Sequence, residues 1–493
     1  MKLGLLGLLS ILCAGSIAFA GDVITVVDEN QQPVANATIL FGYDTGNPFP
    51  GNTMTTDGNG LASVPGAWKA DLPVTVQASG FATATIPVAT PGTMTIQMNH
   101  QESATEIQIG GQTSGFGTMV DNGKVQFGMV IPALSHAQLL SFDMSTIISP
   151  QTDSITVLGQ EIDLPSNITL PDQTVTYVFP VNLSKPDYRT YVRNNGQYLM
   201  TATHGNFPLA KAVTELRAGK TLFDMINDLT FVEGGTATVS VNGDVANQDM
   251  PVNLTQFNSS ITVQAPTFDS SQLMVSVAMN EQNGLMLPTD LKRFTSGQSM
   301  SMKSTGSTPS VVSLLMVNAN PTLKSMVEKA MDMLSPLKGI ALTAPVPLTS
   351  NPQSFQQLSY TITPAAGGAA PQFLPLIDTP TLDSANHVLH FTPPTLPSGL
   401  TAVATYLVLA QIQTFPSSTI QSEARTRLWE IWSPAWLSQV ELPNIPFSKD
   451  PNYTYRWEVM FLAQPTTVSG GTTNVNGVDL DSVTHVTRNS LAL

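Results

Sequence analysis

Apolar and polar positions alternate along most of this chain with a period of two, the signature of half-buried β-strands. Val23, Thr25 and Val27 interleave with Ile24, Val26 and Asp28, and the polar turn Glu29-Asn30-Gln31-Gln32-Pro33 follows. Ala37–Phe41 reads as the returning strand. Thr55-Thr56-Asp57-Gly58-Asn59-Gly60 is a second turn, and Val74–Ala78 and Thr93–Met98 are further strands. Strand-like runs continue at Val125–Val130, Ser154–Leu158, Thr174–Val181, Ala237–Val241, Ser260–Gln264 and Leu273–Met279. Near the C-terminus they recur at Val388–Phe391, Ala402–Gln413, Arg427–Trp432 and Tyr453–Ala463, and Val475 to Val486 has room for one more hairpin. Helical spacing occurs twice. Leu209, Val213, Leu216, Leu222, Ile226 and Leu229 form an apolar stripe broken at Gly219, predicting helix near 208–229. Asn320-Pro321 starts a second stripe of Leu323, Val327, Ala330 and Leu334, predicting helix over 321–334.

The pattern predicts a mainly β protein of several β-sandwiches in series, with a few short helices in its middle. A length of 493 residues exceeds what one hydrophobic core supports. The expected division is a signal peptide over 1–20, a small β-domain over 21–98, a mainly β middle region over 99–345, a Pro/Ala/Gly-rich linker over 346–371 with a strand-like run at Leu358–Ile362, a second β-sandwich over 372–466 and a tail or hairpin over 467–493. The first 20 residues carry the export pattern: Lys2, an apolar run from Leu3, and Ala18-Phe19-Ala20 as a small-x-small cleavage site. The mature chain is expected to start at Gly21, with no membrane-spanning segment, and to reside in the periplasm, on the outer surface or outside the cell. The one cysteine, Cys13, lies inside that segment, and Leu12 before it argues against lipid attachment. A cysteine-free exported chain of this size suits a bacterial envelope.

Two stretches resemble known families. The order Val26-Val27-Asp28, Pro33-Val34-Ala35-Asn36-Ala37-Thr38-Ile39, Thr56-Asp57-Gly58-Asn59-Gly60-Leu61 and Val74-Thr75-Val76-Gln77-Ala78-Ser79-Gly80-Phe81 resembles the carboxypeptidase regulatory-like domain. That resemblance implies a transthyretin-like β-sandwich, a spacer or binding module rather than a catalyst. Tyr453-Thr454-Tyr455-Arg456-Trp457-Glu458-Val459 is similar to a late strand of fibronectin type III-like sandwiches.

Charge narrows the partners. Lys and Arg number 20 against 35 Asp and Glu, for a net charge of −15. Nucleic-acid binding needs clustered cations to neutralise phosphates, and no basic run supplies them. Protein or glycan at the envelope is the expected partner, and no cofactor is expected.

The sequence offers little chemistry. His387 and His390 are spaced for a helix but lie in a strand-like run, which turns them to opposite faces, so no metal site is expected there. His204 and His136 could each serve a triad, but nothing selects a nucleophile. Gly111-Gln112-Thr113-Ser114-Gly115 has Thr where a nucleophile elbow has Ser, and it lies in a glycine-rich stretch between strands. Asp57-Gly58-Asn59-Gly60 and Asn242-Gly243-Asp244 read as turns before calcium loops. Asp378 with Asp383, and Asp479 with Asp481, read as solvated carboxylates before glycosidase pairs. Trp429, Trp432, Trp436 and Trp457 cluster: Trp429 and Trp457 are expected in a core, while Trp432 and Trp436, flanking Ser433-Pro434, are the candidate binding residues. The reading is therefore an exported, non-enzymatic binding, adhesion or scaffold protein. The alternatives are a secreted hydrolase of peptides or glycans with its site in 99–345, and a surface fibre subunit.

Overall fold

The structure, a computed structural model, describes residues 22–43, 53–66, 68, 71–89, 92–101, 107–118, 121–135, 149, 151–157, 160–192, 195–217, 226–282, 285–306, 310–318, 346–347, 355–362, 371–416, 420–445, 448–467, 474–480 and 482–493. The export segment, the expected helix over 321–334, His136, Asp481 and most of the expected linker lie outside the described residues. The protein is mainly β, built from several sheets with little helix.

At the N-terminal end, alternation does what the sequence predicts. Val23–Asp28 pairs with Leu61–Ser63 antiparallel and with Met94–Met98 parallel. A second set, Thr53–Thr55, Thr38–Phe41, Leu72–Gln77 and Thr83–Ala89, is antiparallel throughout. Ile24, Val26, Ile39, Phe41, Val74, Val76, Ile96 and Met98 are all fully buried in one cluster between the two sheets. Burying such side chains contributes about 1.5–3 kcal/mol each.

In the middle region a six-stranded sheet runs Pro180–Lys185, Ile168–Thr176, Lys124–Pro132, Gly196–Pro208, Thr230–Val241 and Thr255–Gln256. The smaller sheet of Asp187–Val192, Ile107–Ser114 and Met250–Pro251 packs with it around Ile109, Val130, Tyr188, Met200 and Val239. Helix forms at Leu209–Arg217, with a single 3₁₀ turn at Ile226–Asp228.

One 14-stranded sheet draws strands from five of the expected divisions. It passes from Leu285–Phe294, Gln272–Gln282 and Ser310–Asn318 through Phe355–Ile362, His485–Ala492, Thr454–Pro465, Leu400–Pro416 and Ile420–Ser433. It then continues into Thr83–Ala89 and the N-terminal strands. Two expected boundaries change as a result. The stretch 346–371, read as a linker from its Pro, Ala and Gly content around a strand-like run at Leu358–Ile362, supplies the strand Phe355–Ile362. That strand pairs with Ser310–Asn318 on one side and His485–Ala492 on the other. The expected tail contains the small hairpin Asn474–Val475 with Val478–Asp479, but it also ends in His485–Ala492, an interior strand of the sheet. Composition marks a linker only where the backbone has no partner, and here both edges of this strand are paired.

The C-terminal part of this sheet is covered on both faces. Leu407, Leu409, Trp429, Ile431, Trp457, Val459 and Phe461 form one core, and Ala404, Tyr406, Val408, Ala410, Trp432, Met460 and Leu462 form the other. Thr454–Pro465 is accordingly buried without alternation along nine consecutive residues, Tyr455 to Ala463. A strand enclosed on both sides loses its period-two signal.

Candidate functional site

Among the described residues, a dense cluster of buried charged groups lies where the N-terminal strands join the C-terminal sheet. Register assembles it. Val408 pairs with Glu430 on one neighbour and Glu458 on the other. Ala410 pairs with Arg427 and Arg456, Ile412 with Arg425, and Met460 with Arg488. A β-bulge between Leu409 and Ala410 skips Leu428, so Arg425 and Arg427 share a face with Glu430 and Trp432. Without it, alternation would set Arg427 and Glu430 on opposite faces.

Glu458 is fully buried. Arg425 donates to it from Nε at 3.2 Å and Nη2 at 2.6 Å, and Arg456 from Nε at 2.8 Å. The Arg488 Nη1 lies 3.6 Å away. Burial by itself would raise the Glu458 carboxyl, but Arg425, Arg488 and Arg456 together hold it far below the usual carboxylate range. Glu430 accepts from the Tyr406 hydroxyl, from Arg427 Nη1 at 3.4 Å and from Asn99 Nδ2 at 2.6 Å. Burial, then the neighbouring Glu430 charge, push the Tyr406 phenol well up, so it stays a donor.

Asn99 brings the N-terminal strands into this network. Thr83–Ala89 lies parallel to Ile420–Ser433, pairing Thr83 with Trp429, Ala84 with Glu430 and Thr85 with Ile431. Trp429 Nε1 donates to Thr85 Oγ1 at 2.8 Å, and Thr85 and Thr75 share a hydroxyl–hydroxyl bond of 2.8 Å. A third clamp comes from the hairpin turn Asn476-Gly477, where both residues have positive φ, 52° and 85°. Asn476 Oδ1 accepts from the Gln97 amide at 2.7 Å, and its Nδ2 donates to the Gln97 carbonyl at 3.1 Å.

Both tryptophans proposed as contact residues pack against neighbouring side chains of this sheet. Trp432 is 5% exposed and stacks on Tyr406 with centroids 3.7 Å apart. Its strand, with the bulge, turns this candidate binding residue into the apolar cluster. Trp436 is half-buried, edge-on to Phe461 at 5.3 Å, with Nε1 donating to the Leu462 carbonyl at 2.9 Å. Trp429 and Trp457 pack together in the core at 5.6 Å, as expected.

The remaining candidates have ordinary surroundings. His204 is buried, with Nδ1 3.0 Å from Glu233 Oε1 and Nε2 3.1 Å from Gln126 Oε1. Both ring nitrogens therefore face other side chains than a hydroxyl nucleophile. Gly111 sits within the strand Ile107–Ser114, and a Cβ there would overlap the Gln248 carbonyl, so this glycine serves close backbone approach. Asp57 Oδ1 accepts from the Asn59 and Leu61 amides at 2.8 and 2.9 Å, and the Leu61 and Asn59 donors hold its carboxyl below the usual range. That is turn chemistry. Asp383 likewise caps its own turn through Asn386 and Ala385. Among the described residues one group joins histidine to carboxylates at metal-ligand spacing: Asp28, Glu29 and His100. Sequence scanning misses it because 71 positions separate Glu29 from His100.

No helix among the described residues is long and apolar enough to cross a membrane. No protein-family model matches the chain, and no curated protein sequence matches it. Three solved structures are similar at a low level. A substituted form of BcpA, the major pilin subunit of Bacillus cereus, matches at 8% identity, covering 59% of this chain and 86% of its own, with a TM-score of 0.15. BcpA itself matches at 9% identity, covering 57% and 94%, with a TM-score of 0.14. A streptococcal ancillary pilin matches at 10% identity, covering 69% and 95%, with a TM-score of 0.13. TM-scores this low mark overall shapes that differ, so nothing the pilins do transfers to this chain by likeness.

Proposed function

We propose that the chain is an exported, non-catalytic scaffold or adhesion protein of the cell envelope, acting as one stiff β-unit. The observation that carries this reading is the continuous sheet. The regulatory-like N-terminal module does not hang from a flexible tether; its strand Thr83–Ala89 extends the C-terminal sheet, and three polar clamps close the joint. Such a joint resists both shear and rotation between modules, as a protein that holds surface loops away from a cell requires. The resemblance of residues 21–98 to carboxypeptidase regulatory-like domains supports the same role, because such modules act as spacers or binding units. The partner fits protein or glycan at the envelope, and a surface fibre is the assembled form of the same function.

The test pairs two measurements on the full chain in its native cells and on purified residues 21–493. Antibody labelling of intact cells is expected to reach the protein from outside, and panels of peptide and glycan substrates are expected to go unhydrolysed. Turnover abolished by a single substitution in residues 99–345 would instead establish the hydrolase.

A further inference from the structure

We propose that Asp28, Glu29 and His100 form a binding site for a divalent transition-metal ion of the zinc class. One ligand atom from each lies within 4.8 Å of the others. The strand Val23–Asp28 delivers the two carboxylates at its end, and the parallel strand Met94–Met98 delivers His100 two residues beyond its own end. Register therefore brings these residues together although they are distant in sequence.

Each ligand is already oriented. Asp28 is 8% exposed, and its Oδ1 accepts from the amides of Asn30 at 2.8 Å and Gln32 at 2.7 Å. Those bonds fix the carboxylate through Oδ1 and leave Oδ2, which takes no hydrogen bond among the described residues, as the oxygen available to the cluster. His100 lies against Phe81 with ring centroids 4.1 Å apart, and the two residues form a β-bridge. The His100 Nδ1 stands 2.9 and 3.0 Å from the two Glu29 oxygens. A tetrahedral ion with bonds of about 2.0–2.1 Å keeps its ligand atoms roughly 3.3 Å apart, so imidazole and carboxylate already stand near the required separation.

Electrostatics favours a cation here. A buried carboxylate beside a second carboxylate is repulsive unless positive charge sits between them. The donor set selects the ion: one imidazole nitrogen and two carboxylate oxygens suit zinc-like ions, whereas calcium takes six to eight oxygen ligands. Glu29 and His100 are partly exposed, so water completes the coordination. The ion would staple the ends of two strands next to Asn99, the residue that reaches Glu430 across the joint.

The experiment is titration of chelator-treated residues 21–493 with zinc chloride, followed by calorimetry and by the imidazole resonances in NMR. One equivalent is expected to bind and move the His100 signals, with a rise in melting temperature from preferential binding to the folded chain. His100→Ala is expected to weaken that equivalent by at least about tenfold, and Glu29→Gln to weaken it while leaving the His100–Phe81 contact in place. Calcium is expected to give neither effect. Unchanged zinc affinity in both folded variants, or no binding by the wild type, overturns the site. Binding that shifts other histidines and not His100 overturns it as well.

Discussion

Glu458 is a single carboxylate enclosed by three guanidinium groups, and its removal tests what a buried ion cluster contributes. Glu458→Gln keeps the shape but leaves Arg425, Arg456 and Arg488 buried beside a neutral amide. Breaking a buried pair in this way costs about 3–5 kcal/mol, because the partners' desolvation is no longer offset. A urea midpoint unchanged by the substitution would contradict the arrangement. His485 gives a second prediction at this scale. Burial pulls its imidazole down to about 4, opposed in part by a hydrogen bond with the Gln372 backbone. The unfolded chain takes up this proton near pH 6.5, before the folded chain does. Stability from neutral His485 is therefore complete above pH 6.5 and is lost as pH falls towards 4, by about 3 kcal/mol over that window. His485→Gln should flatten the stability–pH curve between those limits, as read by chemical denaturation at each pH.

Strands and turns carry the next level. Thr85 is 1% exposed and joins two hydrogen bonds, one to Thr75 on the neighbouring N-terminal strand and one across the joint to Trp429. Thr85→Val is nearly isosteric but strands the indole N–H, at a cost of about 1–3 kcal/mol. Limited proteolysis should then release the N-terminal strands faster than in the wild type. Gly111→Ala pushes a methyl group into the Gln248 backbone, an overpacking that costs about 1–3 kcal/mol and lowers the melting temperature. Were the Gly111–Gly115 stretch a catalytic elbow, the same change would abolish an activity and leave stability nearly untouched. The bulge at Leu409/Ala410 belongs here too, because one extra residue re-aims Glu430 and Trp432 relative to Arg425 and Arg427.

At the scale of the whole molecule the modules should unfold together. The N-terminal strands share a sheet with the C-terminal ones, so melting either removes a partner from the other. Asn476→Gly removes both hydrogen bonds to Gln97 while glycine still accepts the positive φ of the turn. Differential scanning calorimetry is expected to show one transition for the intact joint, and an earlier, separate transition for the N-terminal strands in the variant. Two separate transitions in the wild type would mean that the modules are independent.

Sequence alone determined the β class and most strand positions, because half-buried strands repeat with a period set by local backbone geometry. Val23–Asp28, Thr38–Phe41 and Leu400–Pro416 were legible for that reason. Turn chemistry was legible too: Asp57 acts through hydrogen bonds to amides two and four residues on. Tertiary structure decided what depends on distant pairing. It made Phe355–Ile362 an interior strand, drew Trp432 inside, fused the modules through Thr83–Ala89, and set His100 beside Asp28 and Glu29. Each of these depends on which strand lies alongside, and on register and bulges. Those are settled by burial competing across the whole chain, and no local window contains that competition.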